Sequence, residues 1–291
     1  MAAGHFDRVI FADWSAASSP GPRQPAPDSC WVAWGTVERR PAPRYCRTRA
    51  AAEHFIKELA HEAMAAGERC LIGFDFVFGL PWKIGPAGGR PLARLLKARI
   101  EDGPDNANNR FAVAAALNAD WSPDRPGPFW MCPAAEAGPH LTVKKPGLAG
   151  RPHGEYRIVD RRLRAAGKLV QSVWKLGGVG AVGGQSLVGL AAVARLLDDP
   201  VLAPRAGVWP FETVWARRLA DFTIIEAWPG MVASDGQPYA VKDARQVAAL
   251  RDHALGLQAR GKLRSWLARP VGINRTEERI AMSHEGWIFG A

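Results

Sequence analysis

Two apolar runs in this chain end on an aspartate, VIFADWS at Asp13 and CLIGFDF at Asp75, and a third, FTIIEAWPG, ends on Glu226. A carboxylate at the end of a buried strand stands at the edge of the core, where it can hold a cation or a phosphate-bound metal. Asp243, in KDARQVAAL, opens a late helix and makes a fourth. Two carboxylates brought close repel, and each raises the other's pKa unless a cation sits between them. Mg²⁺ or Mn²⁺ suits such an all-oxygen site. Two such ions activate a water and stabilise the leaving oxygen in phosphoryl transfer. Asp13, Asp75, Glu226 and Asp243 are therefore expected to be metal ligands and catalytic residues. Each also has a structural use. Asp13 can cap a turn, the dipole alone favours Asp243 in a first helical turn, and Glu226 can pair with an arginine.

The substrate expected beside these carboxylates carries phosphate, as a nucleotide or nucleic acid does. Arg110 (in NNRF), Arg157 and Arg161 can grip phosphate oxygens in bidentate fashion. Ser15 can donate to a phosphate beside Asp13. Trp14 and Trp130 can stack on a base. The chain has 38 basic and 28 acidic residues, a formal charge of +10, which favours acidic partners. The arginines are scattered, with no block longer than Arg161-Arg162, so charge alone does not define a nucleic-acid surface.

The elements that must position these groups can be read from periodicity. Strands are expected at Arg8–Ala12, Cys30–Val37 and Arg44–Arg47, with a Pro/Ser-rich loop between the first two. A helix follows at Arg49–Ala66, where Phe55, Ile56, Leu59, Ala60, Ala63 and Met64 keep helical spacing and Thr48 caps the start. The apolar run Arg69–Phe74 directly after it reads as a central strand covered on both faces. The segment 79–155, rich in Pro and Gly around a short helix Arg110–Asn118, reads as a cap-like insertion over the strand ends. Later helices are expected at Ile158–Ala166, Gln185–Leu197, Glu212–Leu219 and Val241–Gln258, and a strand at Phe222–Ala227. The glycine-rich KLGGVGAVGG lacks the Lys-Ser/Thr ending of a phosphate-binding loop and reads as a flexible turn. Three strands, a helix and then a central strand is the order of a ribonuclease H-like α/β fold, a mixed sheet flanked by helices. In that order Asp13 and Asp75 become neighbours. One such domain over 1–291 is expected.

The 291 residues, 47% hydrophobic, allow a sizeable core. The longest apolar stretch, Leu187 to Leu197, is too short to span a bilayer and is broken by Arg195. The start, MAAGHFDRVIFADWS, lacks the basic beginning and cleavage site of a secretory leader; a cytoplasmic protein with no membrane partner is expected. Cys30, Cys46, Cys70 and Cys132 lack the spacing of a zinc or redox motif, and free buried thiols are expected.

Taken together, these segments resemble an uncharacterised family, the domain of unknown function 429 of the ribonuclease H-like superfamily. GFDFVFGLP resembles its central strand, YRIVDRRLR its Arg-x-x-Asp-Arg segment, IIEAWPG its Glu-x-x-Pro segment, KDARQVAAL its acidic late helix and EGWIFG its C-terminal ending. The resemblance spans nearly the whole chain. It implies the fold more than a reaction, since the family's activity is not established. One departure concerns the late helix, which usually carries a pair of aspartates three residues apart; here Gln246 stands three residues after Asp243. Two rival readings follow. One is an actin-like nucleotide-dependent phosphotransferase, using the Asp13-Trp14-Ser15 turn. The other is a non-catalytic binding or accessory protein on a degenerate core.

Overall fold

The computed structural model describes residues 5–291; the four before them, where the leader reading begins, lie outside the described residues. A single mixed sheet of six strands collects residues from most of the chain's length. The strands are β1 (Arg8–Asp13), β2 (Cys30–Gly35), β3 (Arg44–Cys46), β4 (Cys70–Phe74), β5 (Ala206–Val208) and β6 (Phe222–Glu226). Their order across the sheet is β3-β2-β1-β4-β6-β5. β1 pairs antiparallel with β2 and parallel with β4, and β6 runs parallel to both β4 and β5. Every residue of β4 and β6 is buried, as continuous apolar strands with both faces covered should be.

Alternation along the strands divides the core in two. Ile10, Ala12, Ile72, Phe74, Phe222 and Ile224 face α1 (Arg49–Ala65) and α5 (Gly183–Leu197). Val9, Phe11, Leu71 and Ile225 face α6 (Lys242–Ala259) and the C-terminal residues Trp287–Phe289. α1 forms where the spacing placed it: the Thr48 hydroxyl accepts from the Ala51 N–H, and Phe55, Ile56, Leu59, Ala60 and Ala63 form the buried stripe. No helix among the described residues is long and apolar enough to cross a membrane. All four cysteines are buried and unpaired.

The segment 79–155 is more ordered than its Pro/Gly content suggests. It contains α2 (Arg90–Arg99) as well as α3 (Arg110–Trp121). α2 starts with Pro91 in its first turn and buries Leu92, Ala93 and Leu96, spacing that the flanking prolines and glycines obscure. Leu92, Leu96, Val113 and Leu117 share one apolar cluster with Leu187 and Leu190 of α5. These helices therefore pack through that cluster against α5. The helix expected at Glu212–Leu219 shrinks to a 3-10 turn, Trp215–Arg217, and the edge strand β5 precedes it. Three residues, Ala206–Val208, are too few to show a period of two. α4 (Ile158–Ala165), α7 (Leu263–Trp266) and α8 (Arg275–Ile280) complete the chain, and α8 runs on into a π-helical turn, Ala281–Glu285.

Candidate functional site

Asp13 is the last residue of β1, and Asp75 follows the last residue of β4. The parallel register ends at Ala12 beside Phe74, and the Asp75 N–H donates to the Ala12 carbonyl at 3.2 Å. The two aspartates thus stand side by side at the carboxyl edge of the sheet, the edge where open parallel sheets bind ligands. Asp75 also accepts from the Trp14 N–H at 2.8 Å. Burial of Phe11, Ile72 and Phe74, worth roughly 1.5–3 kcal/mol each, fixes the strand ends firmly enough to hold two carboxyls together.

Neither aspartate has an ion-pair partner among the described residues. Burial, followed by the charge of Asp75, pushes the Asp13 carboxyl well above the usual carboxylate range. Burial pushes Asp75 up to about 6, while hydrogen bonds from Asp13 and the Trp14 N–H hold it lower than burial alone would. The pair keeps a proton between its members in the absence of a cation.

Asp243, in the first turn of α6, lies within electrostatic reach of both aspartates. Burial raises its own pKa. One of its oxygens accepts from the Asp28 N–H at 2.8 Å, so it tethers the loop between β1 and β2. The other aspartate of α6, Asp252, is engaged apart from this group: it pairs with Arg251 and Arg40 and accepts from the Gln237 amide.

Glu226 leaves the expected set. Register puts it beside Phe74, one residue short of Asp75. Both its oxygens are taken by Arg157, at 2.6 and 2.7 Å, and one also accepts the Phe78 N–H. Arg157 is fully buried, holds Asp160 as well, and donates to the Glu285 carbonyl. Burial opposes its charge, yet Asp160 and then Glu226 more than offset that and push its pKa up. Arg157 is thus unable to meet a phosphate, because every direction of its guanidinium fork is filled. The same holds for Ser15, whose hydroxyl donates to the Asp28 carbonyl at 2.7 Å. Trp14 is buried against Phe74 and Phe76 and cannot stack on a base. Trp130 is only half-buried, but its backbone is tied to Trp174.

Arg110 does reach the loop beyond Asp13. It donates to the Ser18 hydroxyl at 2.7 Å and to Asn108 at 2.8 Å. Its Nε is buried without a hydrogen-bond partner. Burial, helped by the nearby charge of Arg49, pulls its pKa down to about 10. Its Nε also lies close to Gly184, where a side chain would strike the Leu176 carbonyl and crowd Ala16. Gly184 lies in the first turn of α5, whose Gln185 amide donates to the Trp14 carbonyl and whose Ser186 hydroxyl accepts the Val77 N–H. The N-terminal end of α5, Arg110 and the two aspartate turns therefore converge. Arg161 is elsewhere, beside Lys83 and Tyr156.

One organising residue escaped the sequence reading. Arg49, fully buried, forks onto Asp102 and donates to the carbonyls of Ser15, Ala17 and Asn106. It fastens the loop after Asp13 to both α1 and the 102–108 turn. An arginine at the first position of a helix looks like an exposed charge, and only the long-range partner reveals its use.

The fit of a divalent cation can be judged from these donors. Among the described residues no group of three or more His, Cys, Asp or Glu side chains is placed to hold a metal ion. Two adjacent carboxylates remain, and Mg²⁺ commonly takes one or two carboxylates with water and substrate phosphate filling the rest. Asp13 and Asp75 fit that smaller role. Compared with family models, curated proteins and solved structures, the chain matches none.

Proposed function

We propose that this protein is a Mg²⁺- or Mn²⁺-dependent enzyme of phosphoryl transfer or phosphodiester hydrolysis, working at Asp13 and Asp75. The observation that carries the reading is the pair itself: two buried, adjacent carboxyls at the carboxyl edge of a parallel strand pair, with no cationic side chain among the described residues to neutralise them. The cation, when bound, lowers the pKa of a coordinated water and screens phosphate charge. Asp13 and Asp75 would hold it, their shared proton leaving to solvent. Arg110, with an unpaired Nε, holds a phosphate oxygen. Asp243 and Arg49 fix the loop that carries Trp14 and Ser15.

A ribonuclease H-like fold goes with this reading. Three antiparallel strands, then α1, then β4 parallel to and beside β1 support it. So does one domain with 79–155 as an insertion, since β4 and β6 flank that segment in sequence and pair in space. The resemblance to the domain of unknown function 429 family belongs to the same proposal. A non-catalytic binding protein is the second reading, favoured by the missing third ligand. Hydrolysis of bis(p-nitrophenyl) phosphate with Mn²⁺ separates the two. The enzyme reading expects turnover that falls about tenfold or more in Asp13→Asn and in Asp75→Asn. Turnover unchanged by both substitutions would sink it.

A further inference from the structure

A cavity of about 210 Å³ is lined in part by Trp82, Lys83, Tyr156, Arg161 and Glu285. Its construction is unusual. Lys83 has φ +74, a left-handed backbone conformation that a lysine adopts only when its surroundings impose it. The surroundings here are visible on both sides. The Trp82 N–H donates to Glu285 Oε1 at 2.7 Å, and the Ile84 carbonyl is held by His284 Nε2 at 2.9 Å. Both partners belong to the π-helical turn Ala281–Glu285, a rare geometry that recurs at functional sites. Gly79 and Gly88 let the Trp82 loop approach that turn, because a side chain at either would strike the His284 carbonyl.

The clamp leaves two cations and one aromatic surface available. Lys83 is exposed and, among the described residues, has no carboxylate partner, while the Arg161 side chain donates to the Tyr156 carbonyl. The carboxylates of the cavity are already engaged: Glu285 accepts from Trp82 and Ile158, and Glu277 caps α8. Trp82 is 40% exposed, and its ring meets His284 edge-to-face. The cavity lies on the same edge of the sheet as the aspartate pair. Its wall is tied there by Arg157, which joins the Glu285 carbonyl to Glu226 at the end of β6, the strand next to β4.

We infer that this cavity binds one nucleotide unit, its base stacked on Trp82 and its phosphate held by Lys83 and Arg161. An exposed indole beside unpaired cations is how proteins hold bases and phosphates without reading a helix groove. At about 210 Å³ the cavity is smaller than pockets that enclose a drug-sized ligand, so it seats the phosphate end of a single unit while the base lies over the exposed Trp82 ring. The choice of a nucleotide over another aromatic anion rests on the phosphoryl-transfer reading of Asp13 and Asp75. The cavity itself rests only on its own geometry.

Calorimetric titration with AMP, adenosine and inorganic phosphate tests it. Wild-type protein is expected to bind AMP saturably, with adenosine and phosphate each about tenfold weaker or more. Trp82→Ala and the double variant Lys83→Ala/Arg161→Ala are expected to weaken AMP about tenfold, the double variant with an unchanged unfolding midpoint, since Lys83 and Arg161 are exposed. Asp13→Asn, which tests the separate reading of the carboxylate pair, is expected to leave AMP binding intact even if turnover is lost. The inference is overturned if AMP fails to bind at millimolar concentration, if phosphate alone binds as tightly, or if the cavity variants bind as wild type does. Loss of AMP binding in Asp13→Asn alone would also overturn it, by placing the nucleotide at the pair.

Discussion

Arg157→Met is expected to destabilise the protein by about 3–5 kcal/mol, the cost of leaving buried carboxylates without their cation. Both partners stay behind. Glu226 is 3% exposed and Asp160 is 1% exposed, so neither can recover its lost interaction from water. Methionine keeps much of the arginine's volume, so the loss reports charge rather than a cavity. Glu226→Gln is expected to cost less, because an amide oxygen can still accept the Phe78 N–H. Urea unfolding measures both, provided the slope is unchanged between variants. A cost below about 1 kcal/mol for Arg157→Met would mean an exposed-type ion pair, and would return Arg157 to the list of ligand-binding candidates.

Asp75→Asn is expected to do the opposite at alkaline pH in the presence of a chelator. The folded Asp75 carboxyl is pushed up to about 6, above its ordinary unfolded value, chiefly by burial. The native state therefore binds more protons than the unfolded one through that window. Stability is fully present below the unfolded pKa and is lost as pH rises through about 4 to 6. Asp13, raised well above its ordinary range, carries the loss to higher pH. At 1.36 kcal/mol per unit, Asp75 alone accounts for about 2–3 kcal/mol as an upper bound. Asparagine does not titrate and still accepts from the Trp14 N–H. The variant should match wild type near pH 4 and exceed it by about 2 kcal/mol at pH 8. A difference that stays flat from pH 4 to 8 would show that burial does not raise the Asp75 carboxyl in the folded protein.

How much of this was legible in the sequence depended on whether a residue's partner was local. The strands ending at Asp13 and Asp75 announced themselves because apolar runs with both faces buried need no partner to be recognised. Their adjacency followed from strand order. Glu226 looked equivalent from sequence, since it too ends a buried strand. Register separated it, and Arg157, 69 residues away in the chain, occupied it. The pairing with an arginine was foreseeable as a class but not as a residue. Arg49 was missed and Ser15 misread for the same reason: their partners lie in loops whose course no periodicity describes. The Trp82–Lys83 turn and the π-helical turn left no pattern at all, because each is held by the other.

The central claim is that Asp13 and Asp75 form a cation seat. Its most direct measure is the unfolding midpoint with and without 10 mM (about tenfold above a millimolar dissociation constant) MnCl₂ at pH 8, for wild type, Asp13→Asn and Asp75→Asn. Binding at ten times the dissociation constant stabilises by about 1.4 kcal/mol. The wild type should gain that much, and the gain should shrink at pH 5, where the pair retains its proton. Neither variant should gain. Equal shifts in all three proteins, or no shift in the wild type, would contradict the account.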